Sequence, residues 1–231
     1  WDWVYDHYME AYPEYDWIVD SCRESYLKAD LALQMPFGHE LDMFRQVEPI
    51  PLVINTPTQD RQTVRDLMDV TPDHNMGLLS MGGHAWGNVD ISELKALQGW
   101  VFLVQAGAWE QVQDMPQRFR KIPMDYDDYH NLLAAADLVV GKAGGSTTAE
   151  VIGHQTPIIY TTPPNWREAA LLRAALDEYG VSRYVDAEAF ERGAWVQEIG
   201  AIMQQPQIWK PIATDGAMVA AERLLALAAG N

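Results

Sequence analysis

Cysteine is nearly absent. Cys22 is the only one in 231 residues, which excludes an internal disulfide and any cysteine-based metal site. Set in a helical stretch, it reads as a small hydrophobe, and a chain without disulfides fits a reducing compartment, so a cytoplasmic location is expected. Basic residues are also scarce: 16 Lys and Arg stand against 33 Asp and Glu, a net charge of −17. Nucleic-acid binding draws on clustered Lys and Arg, and no cluster exists here, so no nucleic-acid partner is expected. The acidity reads as a solubility device, and an anionic ligand would need local help to bind against it. No apolar run reaches the roughly 18 residues of a membrane span; the stretch 132–140 is broken by Asp137. Signal-peptide patterning, internal repeats and low-complexity segments are likewise missing.

What is there is ordinary globular composition, 48% hydrophobic and 21% charged, with a regular rhythm in its second part. Residues 5–30 carry apolar side chains at helical spacing, interrupted at Pro13. Short extended pieces are expected at 31–36 and 50–54, then a Thr56-Pro57-Thr58 linker and a helix from Asp60. Beyond it, strands are expected at 77–81, 100–104, 120–123, 137–140, 157–160 and 182–185. Helices are expected between and after them at 129–136, 147–153, 167–179, 187–204 and 215–229. Continuous apolar strands separated by helices argue βαβ units with helices on both faces: an α/β fold with a Rossmann-like parallel sheet. Organisation shifts near residue 56. Residues 1–55 hold too few elements for a core and read as the end of a preceding domain; 56–231 read as the α/β domain proper.

In such a sheet ligands sit at the carboxyl ends of the strands, where two loops are glycine-rich: 81–87, with Gly82, Gly83 and His84, and Gly141-Lys142-Ala143-Gly144-Gly145-Ser146-Thr147-Thr148. The second is the sharper. Paired glycines let the backbone approach an oxyanion, and the following helix start offers unpaired N–H groups and partial positive charge. The plainer reading is a βα turn in which Ser146 or Thr147 merely caps the helix. The segment is neither a P-loop, which needs Lys followed directly by Ser or Thr, nor a dinucleotide fingerprint at the first βα turn. Glu150, one turn into the helix, suits either hydroxyl recognition or simple dipole complementarity. His84 suits a phosphate or acceptor contact, and His154 a helix-end imidazole. Asp125, Asp127 and Asp128 read as capping residues before a helix; Trp86 and Trp109 suit either stacking or core packing.

The run from Asp137 through Gly144, Gly145 and Glu150 to Gly153 and Thr156-Pro157-Ile158-Ile159-Tyr160 resembles the C-terminal domain of GT-B glycosyltransferases. The likeness is to glycosyltransferase family 28, the group with the lipid-linked GlcNAc transferase of peptidoglycan synthesis, over roughly residues 76–229. A fuller likeness, taking in Trp1-Asp2-Trp3-Val4-Tyr5, Met35-Pro36, Phe44-Arg45 and Pro51-Leu52-Val53, is to the glycosyltransferase-like domain fused ahead of the kinase in plant L-arabinokinases and its bacterial relatives. The resemblance implies that residues 1–55 are a remnant of an acceptor-binding N-terminal domain largely upstream of Trp1, and that the catalytic base lies there, leaving this piece inactive alone.

It further implies that Gly82 and Gly83 approach the diphosphate or acceptor, that Ile122 sits where the base is read, and that Gly144, Gly145, Ser146 and Thr147 cradle phosphate. Glu150 would take ribose hydroxyls, and Glu168 would lie near the sugar. The sequence departs from the pattern at His84, where serine is usual, and at Arg167-Glu168-Ala169 and Arg173, which bear on the sugar's identity. The function expected is sugar transfer from a nucleotide-diphosphate sugar, a UDP-sugar foremost, to an unknown acceptor, without cofactor or metal. The alternatives are a non-catalytic nucleotide-sugar-binding module and a nucleotide-sugar 2-epimerase.

Overall fold

A computed structural model describes residues 1–81, 89–115, 117–123 and 125–229. The chain divides into two compact units: Trp1–Val53 with Asn165–Leu171 and Ile212–Asn231, and Ile54–Pro164 with Leu172–Pro211.

The first unit opens with α1 (Asp2–Asp6), a 3-10 turn at Pro13–Tyr15 and α2 (Asp16–Tyr26). Helix therefore breaks where Pro13 lacks an N–H to donate. Two short parallel strands follow, β1 (Ala32–Gln34) and β2 (Val47–Pro49). The expected strand at 50–54 is displaced to 47–49; Pro51 offers no ladder donor, and only Val53 forms a bridge, to Asp215. The C-terminal helix, grouped with the second domain on sequence, belongs to this unit. Its approach segment is tied by Leu52 N–H to Ala213 O (3.0 Å) and Gly216 N–H to Leu52 O (3.2 Å). Arg223 clamps Glu48 through two hydrogen bonds of 2.6 Å.

The second unit holds α3 (Arg61–Leu67), β3 (Asn75–Ser80), β4 (Trp100–Val104), α4 (Ala106–Trp109), β5 (Phe119–Lys121), α5 (Tyr129–Ala135), β6 (Leu138–Lys142), α6 (Gly145–His154) and β7 (Ile158–Thr161). Then come α7 (Ala169–Tyr179), whose first turn is grouped with the first unit, β8 (Ser182–Tyr184), α8 (Ala187–Glu191) and α9 (Trp195–Gln204). The C-terminal helix of the first unit is α10 (Gly216–Ala229). Residues 187–204 are two helices because Gly193 turns between them at φ 78°, where a side chain would also strike Asp90 O.

All six strands of the sheet are parallel, in the order β5-β4-β3-β6-β7-β8. β4 and β7 are buried along their whole length, as a sheet covered on both faces requires. One face packs Leu79, Phe102, Phe119, Val140 and Ile159 together with Phe190, Trp195 and Ile199 of α8 and α9. Trp109 packs against this cluster, which answers its alternative readings in favour of the core.

β3 and β6 meet unusually closely. Ser80 and Gly141 are register partners, and a Cβ at Gly141 would lie 1.5 Å from Ser80 O. Gly141→Ala should therefore force the two central strands apart. The expected cost is about 1–3 kcal/mol or more, read as a lower urea midpoint.

Candidate functional site

The order in which strands are added reverses between β3 and β6, since successive strands extend outward from that pair on either side. Crevices of open parallel sheets lie at the carboxyl ends of strands at such a reversal. Here β6 runs through Ala143 into Gly144, which occupies the N-cap of α6 with extended backbone (φ −116°, ψ 171°) and no side-chain cap. The first helical bond runs from Thr148 N–H to Gly144 O (2.9 Å), so the amides of Gly145, Ser146 and Thr147 precede the ladder. Ser146 and Thr147 sit inside the helix and do not cap it. Among the described residues, a Cβ at Gly144 or Gly145 would meet nothing within 4 Å.

A cleft of about 380 Å³ opens at this turn, lined by Asn55, Asp127, Tyr129, His130, Leu133, Ser146, Thr147 and Glu150. Ser146, Thr147 and Glu150 were expected at a site; the fold brings them together. Glu150 is largely enclosed, with its side chain 12% exposed. Its Oε1 accepts from the backbone N–H of Asn55 (3.0 Å) and from Asn55 Nδ2 (2.7 Å), and Oε2 lies 2.8 Å from His154 Nε2. Burial alone would raise the Glu150 carboxyl, but His154 and the two Asn55 donors outweigh it and hold the group below the ordinary glutamate range.

Asn55 belongs to a strap that the sequence reading treated as a linker. Thr58 N–H donates to Asn131 Oδ1 (2.8 Å), and Asn131 Nδ2 donates to Thr58 Oγ1 (3.0 Å). Asn131 is buried within α5, and a buried amide in a helix needs such partners. That unsatisfied demand was the signal available in the sequence. Tyr126 Oη adds a bond to Gln59 Oε1 (3.3 Å).

Tyr129 and His130 also line the cleft and were not singled out on sequence. The Tyr129 hydroxyl is enclosed beside Ser80; burial pushes it up to about 12, tempered by the serine. His130 Nε2 is enclosed and finds no hydrogen-bond partner among the described residues.

Other expected residues fall elsewhere. Ile122 is buried and extends the β5 ladder, its N–H bonded to Val104 O (2.9 Å); it does not line the cleft. Glu168 lies in the first unit, bonded by Trp166 Nε1 (3.1 Å). Gly82, Gly83 and His84, with Trp86, lie outside the described residues. Asp128 takes the N-cap position of α5 without a side-chain cap. Among the described residues no group of His, Cys, Asp and Glu is placed to hold a metal ion, and no helix is long and apolar enough to cross a membrane.

A six-stranded parallel sheet with flanking helices and an uncapped glycine turn at its reversal point defines a Rossmann-like α/β protein. Residues 89–171 match the model of the glycosyltransferase family 28 C-terminal domain. The L-arabinokinase of Arabidopsis thaliana is 29% identical over 181 residues, covering 78% of this chain and 17% of that protein. Among solved structures, the glycosyltransferase SnogD from Streptomyces nogalater aligns with a TM-score of 0.48 at 14% identity, over 82% of this chain and 52% of that one. The glycosyltransferase VinC in complex with dTDP aligns at 0.48 and 15%, over 62% and 36%. The chain thus spans about half or less of the length of these relatives.

Two outcomes follow from the strap and the carboxylate. Asn131→Ala leaves Thr58 without its partners and should cost about 1–3 kcal/mol in urea unfolding. Because the folded Glu150 carboxyl is depressed, its contribution to stability is present above the ordinary glutamate range and lost as pH falls through the depressed value. The stability gap between wild type and Glu150→Gln should therefore be widest near neutrality and close below that range, measured by denaturation across pH.

Proposed function

We propose that the second unit binds a nucleotide-diphosphate sugar, with the diphosphate on the amides at the start of α6 and a ribose hydroxyl on Glu150. The observation that carries this reading is the N-terminus of α6, without a side-chain cap, leaving a central parallel strand and opening onto a cleft that also holds an ionised carboxylate. An acidic protein needs a local device for an anion, and three unpaired amides at a helix start supply one without a cationic side chain.

The family 28 match supports sugar transfer as the reaction served, with developing charge on the leaving diphosphate stabilised by the same amides. The donor is taken to be a UDP-sugar, and the site to lie in a cytoplasmic protein.

Calorimetric titration with UDP-, GDP- and dTDP-sugars tests the reading, and no saturable heat from any of the three would sink it. Ser146→Asp places a carboxylate at the proposed phosphate position. It should weaken binding about tenfold or more while leaving stability within about 0.5 kcal/mol, because Ser146 is exposed and an acid in the first helical turn suits the dipole. Equal affinity in that variant would contradict the placement of the diphosphate.

A further inference from the structure

We infer that Asn55 is a positioning residue for ligand selection: it holds the Glu150 carboxylate in one orientation, so that the cleft reads a single ligand hydroxyl. The inference rests on the nucleotide-sugar reading of this cleft and goes beyond it, because it assigns a role to a residue outside the sheet and its glycine turn.

Three features lead there. First, the contact is doubled: backbone N–H and side-chain Nδ2 of the same residue converge on Glu150 Oε1 at 3.0 and 2.7 Å. Two donors from one residue fix the plane of a carboxylate as one donor does not. Second, the count of acceptor positions is restrictive. An ionised carboxylate offers about four lone-pair sites. Asn55 takes two and His154 Nε2, 2.8 Å from Oε2, engages a third. One position remains, on a residue that lines the cleft. A ribose presents two neighbouring hydroxyls, so this arrangement accepts from one of them and leaves the other to solvent or to another group.

Third, Asn55 is not on a loose loop. Thr58 is stapled to the buried Asn131, and Gln59 accepts from Tyr126, so the strap is anchored within four residues of the contact. His154, one helical turn from Glu150 on α6, completes the support from the far side. Asn55 itself lines the cleft, which sets its amide beside any ligand that reaches Glu150.

The test compares affinities for UDP-glucose and GDP-mannose with those for their 2′-deoxy and 3′-deoxy nucleoside counterparts. In the wild-type chain, removing one of the two hydroxyls should weaken binding about tenfold and removing the other less than about twofold. Asn55→Ala should compress the larger ratio to within about twofold. Asn55→Asp, which sets a second carboxylate against the first, should do so more completely. In both variants the Glu150 carboxyl, followed by side-chain carbon NMR, should titrate at higher pH than in the wild type.

A uniform loss of affinity for ribo and deoxy ligands, or a Glu150 titration that does not move, would show that Asn55 merely shapes the strap and would overturn the inference while leaving the cleft a nucleotide-sugar site. Equal sensitivity to both hydroxyls in the wild type would overturn the single-hydroxyl count. Failure of every nucleotide sugar to bind would remove the inference together with the reading beneath it.

Discussion

The closeness of β3 to β6 is the constraint from which the rest of the second unit follows. Ser80 O occupies the space where any side chain at 141 would stand, so the two strands can pair in register only because that residue is glycine. Strands are added outward from this pair in both directions, and such a reversal leaves a crevice at the carboxyl ends of the strands. The glycine turn after β6 stands at that point of the sheet. Asp137, just before β6, secures the same region: it accepts from Met76 N–H (2.8 Å) and from the buried Arg65 (3.2 Å), and pairs with Arg61.

The parallel sheet was legible because its inner strands are largely apolar runs, and 100–104 matches β4 residue for residue; the short edge strands β5 and β8 carry Arg120, Lys121 and Arg183 and are less distinct. The α3 start was legible because Asp60 and Thr63 carry cap chemistry, and Asp60 accepts from Thr63 N–H (3.0 Å). What the pattern did not carry were contacts between residues far apart in the chain. The pairing of the 212–216 segment with Leu52 and Val53 depends on backbone donors with no side-chain signature. The strap looked like a linker because Thr56-Pro57-Thr58 has turn composition; its anchor, Asn131, lies 73 residues away.

At the cleft, the phosphate-type turn was readable as a motif, whereas Asn55, Tyr129 and His130 were not. They come from two other segments, and nothing local marks them except the oddity of Asn131 beside them. Ile122 was placed near the ligand by family resemblance alone; in the fold its N–H extends the β4–β5 ladder to Val104 O. None of the described residues lining the cleft is lysine or arginine, so on the proposed reading the charge problem posed by composition would be met by backbone amides. Backbone amides cannot be titrated away, so such a site would keep its polarity across a wide pH range, in contrast to one built on histidine.

The amides at the helix start and the carboxylate stand on one helix. Ser146 and Glu150 are four residues apart on α6, a rise of about 6 Å along its axis. A helix is stiff over so short a distance, so these two points behave as marks on a ruler. On the proposed reading, a ligand would be measured by the interval between its negative charge and its hydroxyl, and molecules with either group but the wrong spacing would engage only one mark.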